Sequence, residues 1–181
     1  MTKTNSTSKT LMAMYRAMRK RFGPRAWWPS MTGCESPEGK LEICVGAILT
    51  QNTNWSNVEK AITNLLEAKC MSVEALHALP PSALAELIRP AGYFNVKARR
   101  LRHFITHIHD HWRGDLETML AQPIEALREE LLGLHGIGPE TADSMILYAA
   151  GKPSFVVDAY TGRIFLRHGL IGQSDGYEDI K

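Results

Sequence analysis

Two carboxylates and a pair of glycines within one short stretch, residues 134–158, are the groups of this chain most readily turned to chemistry. The run LHGIGPETADSMILYAAGKPSFVVD sets Gly136 and Gly138 about Ile137, continues through Pro139, Glu140 and Thr141, and ends on Asp158. Glycine takes positive φ and lets a ligand approach the backbone, and a helix starting at Pro139 presents unpaired N–H groups at its positive end. Such a start binds phosphate oxygens, here through Gly136, Ile137, Gly138 and Thr141, without side-chain charge. That matters because residues 114–150 carry seven acidic residues and one arginine. Taken alone, the same glycines do no more than join two helices. Asp158 precedes AYTGRIFLRHGL, where a carboxylate serves as helix N-cap, and Glu140 falls in a first helical turn, where negative charge is favourable.

Two helices are needed to hold these groups. Pro123 opens PIEALREELLGL, with Ile124, Leu127, Leu131, Leu132 and Leu134 at helical spacing, and Pro139 to Ala150 forms the second helix, so residues 123–150 read as helix, glycine hairpin, helix. Phe155-Val156-Val157 is an apolar linker into Asp158. Earlier in the chain, Leu11 to Phe22 is an amphipathic helix ended by Gly23 and Pro24, after which Trp27 and Trp28 stand in a proline-hemmed loop. Lys40 to Gln51 is apolar enough for a buried helix; it breaks into Gln51-Asn52-Thr53-Asn54 before Trp55, and a second helix runs from Ser56 to Lys69. Amides in such a loop either make a plain turn or reach base edges. Ser72 caps a short helix, Pro81 opens another, and PAGYFN, with Tyr93, leads into a basic helix from Val96 to Trp112. Its His103, His107 and His111 are spaced four apart as metal ligands can be, but no cysteine or carboxylate completes a set, and no metal site is expected. The pattern is all-α, without internal repeats.

At 181 residues, 44% hydrophobic and 22% charged, the chain has the make-up of a globular protein with a real core. No stretch reads as a membrane span, and the polar start MTKTNSTSKT lacks the apolar centre of a signal peptide. Residues 1–10 therefore read as a disordered tail, and the protein as cytoplasmic. Cys34, Cys44 and Cys70 are odd in number and lack C-x-x-C spacing, so they read as reduced thiols. Residues 1–40 hold eight Lys/Arg against two acids, and residues 89–113 six against one. These segments are either solvated helix faces or a nucleic-acid footprint.

The pattern L-x-G-I-G-x-x-T-A followed by V-D resembles that of the helix-hairpin-helix base-excision DNA glycosylases of the endonuclease III superfamily. The resemblance extends to GAILTQNTNWSNV at Gly46–Val58 and PAGYFNVKARRL at Pro90–Leu101, and covers about residues 25 to 175. Trp27-Trp28-Pro29, Trp55, GIGPETAD and VVD are similar to the 3-methyladenine DNA glycosylase III type within it.

The resemblance implies an all-α glycosylase fold: a six-helix barrel lobe at 37–155, and a second lobe built from 11–36 and 156–181 that is expected to be C-terminally incomplete. It implies a monomeric, nucleoid-associated repair enzyme acting on double-stranded DNA that contains a damaged base. An alkylated purine such as 3-methyladenine would be flipped into a pocket lined by Trp27, Trp28 and Trp55, where a cationic base gains cation–π attraction. Gln51, Asn52 or Tyr93 would fill the gap in the duplex. Asp158 would stabilise the oxocarbenium-like sugar and orient or deprotonate water. Members that also cut the strand carry a lysine where this chain has Glu140, so a monofunctional enzyme is expected. Glu140 is then either part of the chemistry or a favourable first-turn charge. No cysteines stand near the C-terminus, and neither an iron–sulfur cluster nor another cofactor is expected. The alternatives are a DNA-binding module without catalysis and a bifunctional glycosylase/lyase for oxidised pyrimidines.

Overall fold

The computed structural model describes residues 3–24 and 28–181, and every regular element among them is helical, as the sequence pattern predicts. The chain divides into two compact units, Trp28–Val156 and a smaller one formed by Met1–Trp27 with Val157–Lys181.

The larger unit is built around α2 (Pro37–Leu49). From Ile43 onward its sequence is apolar on every side, so it has to be wrapped; Leu41, Ile43, Val45, Ile48 and Leu49 are at most 3% exposed. The wrapping is done by α3 (Trp55–Glu67), α4 (Val73–Ala78), α5 (Pro81–Leu87), a 3-10 turn (Arg89–Ala91), α6 (Phe94–Trp112), α7 (Leu116–Ala121), α8 (Ile124–Gly133) and α9 (Pro139–Ser144). Val58, Leu65, Leu76, Leu84, Phe104 and Leu131 join α2 in one core cluster, each burial stabilising the unit by roughly 1.5–3 kcal/mol. Side-chain caps fix where the helices start: Ser36 accepts from the Gly39 N–H at 2.9 Å, Asn54 from Asn57 at 3.1 Å and Ser72 from Ala75 at 3.1 Å. Helix α9 runs on into a π-turn, Met145–Ala149, closed by the Ala150 N–H on the Met145 carbonyl at 3.0 Å.

The smaller unit holds α1 (Lys3–Phe22), α10 (Ala159–Arg167) and α11 (Tyr177–Ile180). Val157 is buried there, whereas Tyr15, Met18, Phe22, Tyr160 and Ile164 are exposed. No helix among the described residues is long and apolar enough to cross a membrane.

Two expectations change. Helix α1 begins at Lys3 rather than Leu11, because KTNSTSKT contains neither glycine nor proline to stop it. The barrel unit begins at Trp28 rather than residue 37. The cause is Glu42, a carboxylate at 0% exposure on α2. It accepts from the Met31 N–H at 2.8 Å, the Thr32 N–H at 2.9 Å, the Thr32 hydroxyl at 2.7 Å and the Ser30 hydroxyl at 3.0 Å, and so binds the preceding loop to the barrel.

Candidate functional site

Helix α8 ends at Gly133, and a turn of five residues leads into α9. Gly136 stands at φ 92°, and a Cβ there would lie 2.2 Å from Arg100 Cγ, so both backbone and space require glycine. Gly138 departs from the expectation of positive φ: it lies at φ −95°, and a Cβ would meet nothing within 4 Å. Its bareness leaves the backbone open to approach from solvent. Ile137 is 5% exposed and its N–H already donates to the Leu134 carbonyl at 3.1 Å. It is the plug that seats the hairpin, which corrects its expected role as a phosphate donor. The N–H groups of Gly136, Gly138 and Thr141 bond to no other described residue. Arg128 on α8 donates to Asp143 on α9 at 3.1 Å, and Ser154 adds a donor at 2.9 Å, bracing the two helices.

The three residues considered for the loop probes separate. Gln51 is half-buried; its Nε2 donates to the Gly136 carbonyl and the Thr141 hydroxyl, each at 3.0 Å, and its Oε1 accepts from the Arg100 guanidinium. It links the end of α2 to the hairpin, 85 residues away in sequence, and this commitment takes it out of the set of free amides. Asn52 and Tyr93 are exposed, Tyr93 to 74%. Both hold left-handed backbone, φ 53° and 45°, which side chains other than glycine adopt at a cost. Lys97, which the charge pattern placed on a basic face, is 2% exposed, and its Nζ donates to the carbonyls of Leu49 at 2.8 Å and Ala91 at 2.7 Å.

Of the tryptophans, Trp27 lies outside the described residues. Trp28 and Trp55 meet edge to face, centroids 5.3 Å apart at 86°, and Tyr148 of the π-turn joins them at 5.1 Å from Trp28. Nothing in the residue pattern points to Tyr148. Gly46 makes room for the pair, since a Cβ there would lie 3.1 Å from Trp28 and 3.4 Å from Trp55. The Trp55 Nε1 donates to Glu59 at 2.9 Å, and the Trp28 Nε1 is buried without a partner. The two rings are not parallel walls, so a stacked purine would use the face of one of them.

Asp158 caps α10: its Oδ1 accepts from the Thr161 N–H at 2.7 Å and the Thr161 hydroxyl at 2.8 Å, while Oδ2 bonds to no other described residue. Glu140 is exposed in the first turn of α9. The three histidines spaced four apart do not converge: His107 bonds to Glu130 at 2.5 Å, His111 stacks on His107, and His103 packs against His135. A different group, His77 with His109 and Asp110, brings ligand atoms within 4.8 Å of one another and is the one set among the described residues with the reach to hold a metal ion. It lies toward the far end of α6 from Tyr93, with the Asp110 carboxylate already bonded to His109 at 2.8 Å. Burial pushes the Cys44 thiol up to about 12.

The family model described as HhH-GPD superfamily base excision DNA repair protein matches residues 45–181. A candidate DNA repair glycosylase of Methanocaldococcus jannaschii is 42% identical over 170 residues, 93% of this chain and 74% of that protein. The crystal structure of the 3-methyladenine DNA glycosylase of H. pylori bound to 1,N6-ethenoadenine superposes with a TM-score of 0.75 at 30% identity, covering 96% of this chain and 78% of that one. An endonuclease III–DNA complex gives a TM-score of 0.76 at 23% identity, covering 95% and 73%, and shows a shared fold.

Proposed function

Since the chain belongs to the HhH-GPD superfamily of base excision DNA repair proteins, we propose that it is a monofunctional DNA glycosylase that hydrolyses the N-glycosidic bond of an alkylated purine such as 3-methyladenine. The observation that carries the monofunctional reading is Glu140, a carboxylate at the hairpin-helix position where the strand-cutting members have an amine. A carboxylate forms no Schiff base with C1′, so water is left as the nucleophile. The alkylated-purine reading is supported by the Trp28, Trp55 and Tyr148 cluster and by the likeness to a glycosylase whose complex holds an adenine derivative.

In this reading duplex phosphates accept from the N–H groups of Gly136, Gly138 and Thr141, contacts that position the protein without reading sequence. Asn52 and Tyr93 enter the base stack. The extruded base lies on an aromatic face, which attracts a cationic purine more strongly than a neutral one. The C1′–N bond breaks with its electron pair passing to the base, so a cationic base leaves neutral and needs no general acid. The sugar is left oxocarbenium-like. Thr161 fixes Asp158 through Oδ1, and Oδ2 is the oxygen that faces the positive sugar and takes the proton of the attacking water. The iron–sulfur cluster of many superfamily members takes four cysteine thiolates. Cys34, Cys44 and Cys70 do not fit it, because Cys44 is fully buried with its thiol held protonated, and no step runs through such a group.

The test is incubation of the protein with a methylated duplex, with released base measured by chromatography and a parallel sample trapped with borohydride. Free 3-methyladenine with no covalent adduct is the expected result. An adduct would overturn the monofunctional assignment, and duplex binding without released base would favour a binding module.

A further inference from the structure

Lys97 sits where its charge has no obvious use. It is 2% exposed, and none of its hydrogen bonds goes to a carboxylate. Removing an ammonium from water costs several kcal/mol unless it is compensated. Here the compensation comes from two carbonyls, Leu49 at 2.8 Å and Ala91 at 2.7 Å, each at the C-terminal end of a helical segment, where the backbone is most negative. Burial, and then the nearby Arg100 charge, lower its pKa, in keeping with a strained ammonium.

The loops that those carbonyls precede give the lysine a purpose. Leu49 is the last residue of α2, three positions before Asn52, and Ala91 ends the 3-10 turn, two positions before Tyr93. Asn52 and Tyr93 are exposed on these two loops, and they are the loop residues other than glycine that hold left-handed backbone. For a bulky residue such as Tyr93 this conformation costs about 1–3 kcal/mol and persists only where its surroundings enforce it, whereas asparagine adopts it more readily. A single ammonium therefore joins the roots of two loops that have no bond between their tips. We propose that Lys97 is a positioning residue that fixes the spacing between Asn52 and Tyr93, so that the two enter the duplex together on either side of an extruded nucleotide. This rests on the glycosylase reading above, in which both side chains enter the stack.

The test uses a duplex with a tetrahydrofuran abasic analogue opposite 2-aminopurine, whose fluorescence rises when the local stack is opened; no lesion need be known and no base is released. Three variants are compared with the wild type: Lys97→Met, Lys97→Gln, and the double variant Asn52→Gly/Tyr93→Gly, in which glycine tolerates the left-handed backbone. Lys97→Met is expected to bind an undamaged duplex within about twofold of wild type, because hairpin contacts to phosphate are untouched. Its fluorescence gain on the analogue duplex should fall about tenfold, the strength lost when a net interaction of the size of a charged hydrogen bond goes. Lys97→Gln, which keeps an N–H donor, should recover part of the gain. Added to the glycine double variant, Lys97→Met should change nothing further.

A full fluorescence gain from Lys97→Met would overturn the positioning role. A full gain from the glycine double variant would instead remove the premise that Asn52 and Tyr93 enter the stack. Should both lysine variants melt below a 10 °C assay, Lys97 holds the fold as a whole and the proposal fails as well.

Discussion

The hairpin's two glycines are expected to fail in opposite ways when each is replaced by alanine. At Gly136 the left-handed backbone costs alanine roughly 1–2 kcal/mol. The new Cβ would also lie 2.2 Å from Arg100 Cγ and 2.6 Å from its Cδ, so the arginine stem must swing aside and its guanidinium leaves Gln51. Losing that charged hydrogen bond adds about 1.5 kcal/mol. The sum, about 3 kcal/mol, lowers the melting temperature of a chain this size by roughly 10 °C. At Gly138 the backbone is already extended and the added methyl meets nothing within 4 Å. The small loss of an alanine N-cap and the small gain in unfolded-state entropy cancel to within about 0.5 kcal/mol. What Gly138→Ala should lose is duplex affinity, about tenfold and equally on every sequence, because its methyl stands between the free N–H groups and a phosphate. Calorimetric melting and fluorescence-anisotropy titration of undamaged duplexes read the two effects separately. Equal melting of the two variants, or wild-type affinity in Gly138→Ala, would refute the division of labour.

Asp158→Asn should melt like the wild type, since asparagine is an equally good N-cap, yet release base at least about a hundredfold more slowly in single turnover; unchanged release would take Asp158 out of the chemistry. Glu42→Gln should cost about 3 kcal/mol, because an amide nitrogen would face donors that the carboxylate now accepts, and should expose residues 28–36 to limited proteolysis; unchanged melting and cleavage would argue against the anchoring role. Burial works to raise the Glu130 carboxyl, but donors from His107, Gln122 and Trp112 together outweigh it and hold it below the usual range. A depressed acid contributes stability above its unfolded pKa, about 4.3, and loses that contribution as pH falls through the folded value. Wild-type melting should accordingly fall more steeply than that of Glu130→Gln below about pH 4.3, and parallel curves would show that the Glu130 bonds contribute nothing.

What is legible in the sequence is local. Helical period, Pro139 after the glycines, the Ser72 cap and the Asp158 cap each depend on neighbours a few residues away, and each stands in the structure. Helix α7 escapes the pattern because six residues are too few to show a period, and its Asp115 cap, bonded to Thr118 at 3.0 Å, is recognisable only once the helix is known. Residue type alone assigns Gln51 as a probing amide and Lys97 to a basic face, whereas their partners lie 85 and 48 residues away. Glu42 does leave a trace, a lone acid inside the apolar run KLEICVGAIL, which is either a helix's one wet position or a buried anchor. The bridge between Trp28 and Tyr148 leaves none.

The π-turn at Met145–Ala149 also bears on ancestry. Such a turn accommodates one more residue than the α-helical path between the same fixed ends. Here the ends are fixed by the Thr141 and Asp143 bonds upstream and the Ser154 bond downstream. Removing a single codon from this stretch would close the turn into regular helix with both ends left in place, and the residues inside it, Tyr148 among them, would shift relative to Trp28. Length in this one turn, more than the identity of any side chain, is therefore a means by which a lineage could reshape its aromatic cluster in a single mutational step.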